Sequence, residues 1–191
     1  VLLVGAGLMI RSFSKLLQVD PGFQANNVVG AQVLLPATKY RDRQTLSRFY
    51  EDVIERLRRT PGVTHASAVS TLPMSDVGMA MALPFNVEGQ QPPPGEDPLA
   101  DVRIAAPGYF ETMGIRLIEG RFFDERDVET APRTSVINLT MARRYFPDRS
   151  PLGQIVQNPH GRSEVVGVVA DVRAQGLDTA PEQQVYLPLR E

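Results

Sequence analysis

Residues Ala100–Gly120, ADVRIAAPGYFETMGIRLIEG, decide how this chain is built. Ala100–Ala106 reads as a strand. Pro107–Met113 reads as a short helical turn, and Gly114 and Gly120 bracket a second short strand, Ile115–Ile118. One helical turn between two strands is not a long crossover helix. The chain therefore belongs to the α+β class and not to strict βα alternation. Working toward the C-terminus, an acidic loop precedes a strand at Thr134–Ile137. Asn138 then stands where it can cap a helix running through Phe146, and Pro147 ends it. Ile155–Val156 and Val165–Val172 form an expected hairpin, and Gln184–Leu187 is the last strand.

Working toward the N-terminus, Met81–Glu88 reads as a strand, with Pro84 marking an edge or a bulge. Gln90–Pro98 is a Pro-rich loop in which Pro92, Pro93 and Pro94 should be extended and stiff. Leu46, Phe49, Tyr50, Val53, Ile54 and Leu57 fall on one helical stripe. Asp42 stands at its cap position, and Pro61-Gly62 stops it. Val28–Leu35 before this helix and Val63–Thr71 after it read as strands, giving a βαβ-like unit.

The first ten residues, VLLVGAGLMI, carry no polar side chain. A complete spanning helix needs about 20 such residues. The segment is open to three readings: a buried helix, the apolar part of a signal peptide, or the last half of a spanning helix. No small-residue cleavage site follows it. Instead Ile10, Phe13 and Leu17 continue a helical spacing, which favours a spanning helix extended as a stalk to about Gln18. Asp20-Pro21-Gly22 ends the stalk. Arg11 and Lys15 alone hint at a cytoplasmic side.

Composition removes whole classes of function. The chain has 191 residues, 42% apolar and 22% charged, which is the profile of a folded domain. It has no cysteine, so thiolate metal sites and thiol nucleophiles are excluded. A net charge of −2 gives no general field for nucleic acid. His65 and His160 have no ligand partner at helical spacing. Asp124, Glu125, Asp127 and Glu129 lack the order and the Gly of a calcium loop and read as a solvated loop. Gly5-Ala6-Gly7 starts like a dinucleotide fingerprint, but Ile10 takes the third Gly position. There is no phosphate loop and no Gly-x-Ser-x-Gly elbow. Tyr109, Phe110, Phe122 and Phe123 read as core, and Met74, Met79 and Met81 as gap-fillers. No catalytic, cofactor-binding or metal-ligating residue is assigned. An apolar helix joined to a fold without a reactive cluster argues for a binding or force-transmitting module.

The ordered set of short motifs is similar to one known family. At the front stand Val4-Gly5-Ala6-Gly7-Leu8, Arg11-Ser12-Phe13 and Val19-Asp20-Pro21-Gly22-Phe23. Pro61-Gly62-Val63, Leu72-Pro73 and Phe85-Asn86-Val87-Glu88-Gly89 follow. The strongest run is Pro107-Gly108-Tyr109-Phe110 through Gly114-Ile115 to Gly120-Arg121, with Phe123 and Asp127 after it. Then come Val136-Ile137-Asn138, Ala142–Pro147, Pro151-Leu152-Gly153, Val165–Val169, Asp171-Val172 and Val185-Tyr186-Leu187-Pro188. Together they resemble the extracytoplasmic core domain of MacB/FtsX-type ABC-transporter permeases, most of all the branch in which the permease unit is duplicated.

The resemblance implies a porter-like α/β subdomain, 27–102 plus 165–191, with a smaller β-rich subdomain, 103–164, inserted in it. Residues 1–18 would be the end of a spanning helix and its stalk. It places the domain in a bacterial inner membrane protein, facing the periplasm or cell exterior, against the hint from Arg11 and Lys15. The implied partners are a cytoplasmic ABC ATPase that holds the ATP, a second permease copy or half in a dimer, a periplasmic partner protein and the membrane through the N-terminal helix, but no nucleic acid. No cofactor and no enzymatic activity are implied for the domain itself. Arg11, Ser12, Phe13, Asp20, Pro21 and Gly22 become the stalk and hinge candidates. The competing reading from another class is a membrane-anchored sensor that binds a ligand or partner without transport.

Overall fold

The structure, a computed structural model, describes residues 2–36, 38–40, 42–75, 81–90, 95, 98–124, 127 and 133–189. Its elements in chain order are α1 (Leu2–Leu17), α2 (Arg43–Arg58), β1 (Met81–Pro84), β2 (Asn86–Val87) and β3 (Leu99–Ala105). They continue with α3 (Tyr109–Thr112), β4 (Leu117–Gly120), β5 (Thr134–Asn138), α4 (Leu139–Tyr145), β6 (Ile155–Asn158), β7 (Gly161–Val169) and β8 (Gln184–Pro188). Strand and helix are mixed without alternation, the α+β class expected. Pro92–Pro94, Met79, Glu125 and Glu129 lie outside the described residues.

The strands form one sheet in the order β1-β3-β8-β5-β7-β6-β2, with β4 also paired to β7. β3 runs parallel to β8 and β5 parallel to β7, while β5 and β8 are antiparallel. Every residue of β5 and of β8 is buried, so both faces of the central strands are covered. Successive side chains on a strand point to opposite faces, and the core divides accordingly. Ile137, Val168 and Val185 join Met141 from α4 and Phe146 at its C-cap on one side. Val136, Val169 and Tyr186 join Tyr109, Phe110 and Phe123 on the other. Phe110 stacks on Phe122 at 5.1 Å and meets Tyr186 edge-on at 5.0 Å, so this aromatic group is core, as its sequence predicts.

The expected subdomain limits at 102/103 and 164/165 fall inside β3 and β7. Strands from both expected parts share the sheet, with β5 lying between β8 and β7.

Three sequence expectations need correction. Val28–Leu35 forms no strand, and Val63–Thr71 contributes a single bridge, Val69 to Ala105, so the βαβ unit does not form. Val29 and Leu34 stand 95% and 84% exposed. β-propensity measures fit to a paired, half-buried surface, and these residues have no ladder to join. Phe85 splits Met81–Glu88 into β1 and β2, which pair with β3 and β6 at opposite ends of the sheet. Met74 fills no core gap: it is exposed, with a left-handed φ of 54°.

The predicted helix is present as α2. Asp42 caps it, one carboxylate oxygen accepting from the Thr45 N–H at 2.8 Å and the other from the Thr45 hydroxyl at 2.8 Å. These bonds, the one from the backbone N–H first, hold the Asp42 carboxyl below its ordinary value. Ile54 packs on Ala66 and Ala106, while Leu57 at the end of the stripe is exposed.

Candidate functional site

The stalk candidates separate into two groups. Arg11, Ser12 and Phe13 stand exposed on α1, with Leu8, Met9, Ile10 and Leu17 exposed beside them. Their apolar side chains meet no core of this domain. At 16 residues α1 is about 24 Å long, and among the described residues no helix is long and apolar enough to cross a membrane.

Asp20, Pro21 and Gly22, by contrast, are docked on the domain. The Asp20 carboxylate accepts from the Gly22 N–H at 2.9 Å, which closes a tight turn. Pro21 accepts at its carbonyl from the Arg173 N–H at 2.9 Å. Gly22 has a φ of +81°, and a Cβ there would lie 1.9 Å from the Asp171 carbonyl oxygen. Only glycine permits both the turn and this approach. Just beyond, the Gln24 N–H donates to the Met113 carbonyl at 2.8 Å, and Phe23 and Val28 pack on the aromatic core.

Asp171 links this joint to the centre of the sheet. Its carboxylate accepts from Asn138 Nδ2 at 2.8 Å and from the Thr140 N–H at 2.7 Å. Asn138 caps α4 as its sequence position predicts, accepting from the Met141 N–H at 3.1 Å. The same side-chain oxygen accepts from the Gln184 N–H on β8 at 3.0 Å. One side chain thus serves a helix cap and the edge of a neighbouring strand, which sequence spacing cannot reveal.

A second polar group went unnoticed in the sequence. Arg103 on β3 is only 2% exposed. Its Nε donates to Asp101 Oδ2 at 2.8 Å, a terminal nitrogen lies 2.8 Å from the same oxygen, and the other donates to the Thr71 carbonyl at 2.9 Å. Gln184 Nε2 donates to Asp101 Oδ2 at 3.4 Å, and Tyr186 donates its phenol proton to Gln184 Oε1 at 3.1 Å. Burial opposes the charge on Arg103, but the surrounding groups, Asp101 foremost, together outweigh it and keep the guanidinium protonated. Burial pushes the Tyr109 phenol up to about 12 and raises Tyr186 well above its ordinary value, so both stay neutral. Asp101, Arg103 and Gln184 floor a cleft of about 260 Å³. The available sequence signal was a charged pair two residues apart within a strand, which places both side chains on one face.

The acidic loop also departs from expectation. Asp127 is buried, not solvated. Arg121 grips it with two bonds, at 2.7 and 3.0 Å, and the Asp124 N–H and Thr134 hydroxyl donate at 2.8 Å each. Burial would raise its carboxyl, but these donors outweigh it and hold the group below its ordinary value. Among the described residues no cluster of acids and histidines can hold a metal ion. His65 is exposed on coil, and the His160 N–H closes the β6–β7 turn on Asn158 at 2.8 Å.

The chain belongs to the MacB-like periplasmic core domain family, which matches residues 2–191. Over 93 residues it is 37% identical to the macrolide export ATP-binding/permease protein MacB of Bartonella henselae, covering 47% of this chain and 14% of that protein. The chain is therefore a small part of the length of that relative. Its fold is similar to the periplasmic region of MacB from Actinobacillus actinomycetemcomitans, at 20% identity and a TM-score of 0.49, covering 92% of this chain and 71% of that one. It is also similar to the extracellular domain of the ABC-type transporter YknZ of Gram-positive bacteria, at 24% identity and a TM-score of 0.48, covering 74% of this chain and 63% of that one.

Proposed function

We propose that this domain is the outer, force-transmitting part of an ABC-transporter permease of the duplicated-permease branch. In this reading α1 is the outer end of a spanning helix continued as a stalk, and the domain faces the periplasm or cell exterior of a bacterial inner membrane protein. A cytoplasmic ATPase binds and hydrolyses ATP, a second permease copy or half completes a dimer, and a periplasmic partner receives the motion. The domain itself performs no catalysis and holds no cofactor. Within it, 27–102 plus 165–191 act as a porter-like body and 103–164 as an insert.

The observation that carries this reading is the joint. The exposed apolar helix α1 enters the domain through Asp20–Gly22, and that turn is bonded to Arg173 and packed on Asp171, not left as a free linker. A helix keeps its backbone hydrogen bonds internal and acts as a stiff rod, and α1 is continuous from Leu2 to Leu17. Approach of two such rods would move two outer domains as bodies, a hinge or shear motion.

The test uses the full-length dimer with its ATPase and Ser12→Cys or Ser14→Cys in each copy. Disulfide yield should change with nucleotide. Gly residues inserted after Lys15 should leave ATP hydrolysis intact and uncouple it from the work done outside. A Gly-softened protein that transports or signals at the normal rate would overturn the lever.

A further inference from the structure

We propose that Asp171 and Asn138 form a relay that carries displacement of the Asp20–Gly22 joint to the first turn of α4 and to the start of β8. The relay deepens the force-transmitting reading and rests on it, because it names the route by which stalk motion enters the domain. Its input end is backbone against backbone. Gly22 faces the Asp171 carbonyl so closely that a Cβ would lie 1.9 Å from the oxygen. The Pro21 carbonyl accepts from the Arg173 N–H at 2.9 Å. The turn therefore cannot move inward without pushing residues 171–173, nor outward without breaking that bond. Close-packed groups have no slack and transmit strain.

The output end is a saturated amide. Asn138 is fully buried. Its Nδ2 donates to Asp171 Oδ1 and to the Glu182 carbonyl, each at 2.8 Å. Its Oδ1 accepts from the Met141 N–H at 3.1 Å and the Gln184 N–H at 3.0 Å. A primary amide has two donors and two lone pairs, and here each is used. Capping α4 needs only the bond from Met141. The others tie the helix to residue 171 and to the entrance of β8. Asp171 Oδ1 also accepts from the Thr140 N–H at 2.7 Å, inside the first turn of α4. Bonds from N–H to a carboxylate are roughly twice as strong as neutral ones. A partial break would strand buried donors, so the group moves as one piece. Glu182 and Gln184 also line the cleft, so the position of the joint is registered at its wall. The other route out of the joint is the Gln24 bond to Met113 and the packing of Phe23 on the aromatic core. Apolar contacts are non-directional and yield to sliding, so this route carries less.

The experiment is a double-mutant cycle on the full chain, read by ¹H–¹⁵N amide shifts. Gly22→Ala displaces the joint, and Pro21→Gly loosens it without adding atoms. Either change should shift the amides of Met141 and Gln184 as well as that of Arg173. With Asp171→Ala in place the Arg173 response should remain, while the responses at Met141 and Gln184 should fall to less than about half. Asp171→Asn keeps the accepting oxygen and should restore most of them. Asp171 is half-buried, so water can enter behind a truncation, and Asp171→Ser is the second broken variant should the alanine chain not fold. A residue that only stabilised the fold would lower stability without changing how far the joint's shifts reach. Responses confined to residues 20–24 and 171–173 in the otherwise unmodified chain would overturn the relay, whatever the truncations do. Responses at Met141 and Gln184 that survive truncation would overturn it too, and would assign the motion to Phe23 and the aromatic core. The cycle reads movement inside the domain and the Ser12→Cys disulfide reads the stalk in the dimer, so failure of one is distinguishable from failure of the other.

Discussion

The two halves of the chain spend similar hydrophobic sequence in different ways. Val28–Leu35 and Val63–Thr71 are as rich in β-formers as the strands after residue 99, yet only the later ones build a ladder. β5 and β8 each find a neighbour on both edges and bury every residue. Val29 and Leu34 find none and remain in water. A strand is a relation between two segments, and composition supplies one side of it.

The sharpest way to break this contrast is Phe110→Ala. Phe110 sits among Tyr109, Phe122, Phe123 and Tyr186, and its loss should cost about 3–5 kcal/mol in urea unfolding. Next is Gly22→Ala at the seam between the two halves. The left-handed backbone and the close Asp171 carbonyl should make it cost about 1–3 kcal/mol. It should also raise amide exchange at Arg173, whose N–H is bonded to Pro21.

A smaller effect should appear with pH. The Asp127 carboxyl is lowered from an ordinary value of 3.8, so its contribution is full at neutral pH. That contribution should decline as pH falls below 3.8 and through the lowered folded-state value. Asp127→Asn should flatten this part of the stability profile below the ordinary value of 3.8. The smallest effect belongs to the exposed segment: Val29→Ser should change stability by less than about 0.5 kcal/mol. A loss of more than about 2 kcal/mol there would mean that this segment is paired in solution, and the contrast would fail.

What was legible followed from local rules. Asp42 and Asn138 were readable as caps because a cap is satisfied within four residues of itself. The helical stripe of α2, the Pro107–Met113 turn and the β6–β7 hairpin likewise depend on near neighbours. The missing strands depended on distant partners, as did the split at Phe85. The buried role of Asp127 needed Thr134 and a grip from Arg121 that charge counting alone reads as solvated. The joint was readable as a turn from Asp20-Pro21-Gly22, but not its docking on residues far along the chain. The Arg103 group was hidden for the same reason: Thr71 and Gln184 are remote from it in sequence.

The parallel pairing of β3 with β8 sets an order of events during synthesis. Asp101 meets Gln184 and Ala105 meets Pro188, so β3 leaves the ribosome long before its central neighbour exists. At about 5–20 residues per second the delay is several seconds. Over that interval β3 has β1 and the bridge from Val69 to pair with, and β5 lacks the strand that will separate it from β3. Closure of the sheet is then a late, long-range step, the kind that slows folding and leaves strand edges open to wrong partners. Truncations that remove β8 should therefore yield aggregating chains, not a smaller folded domain.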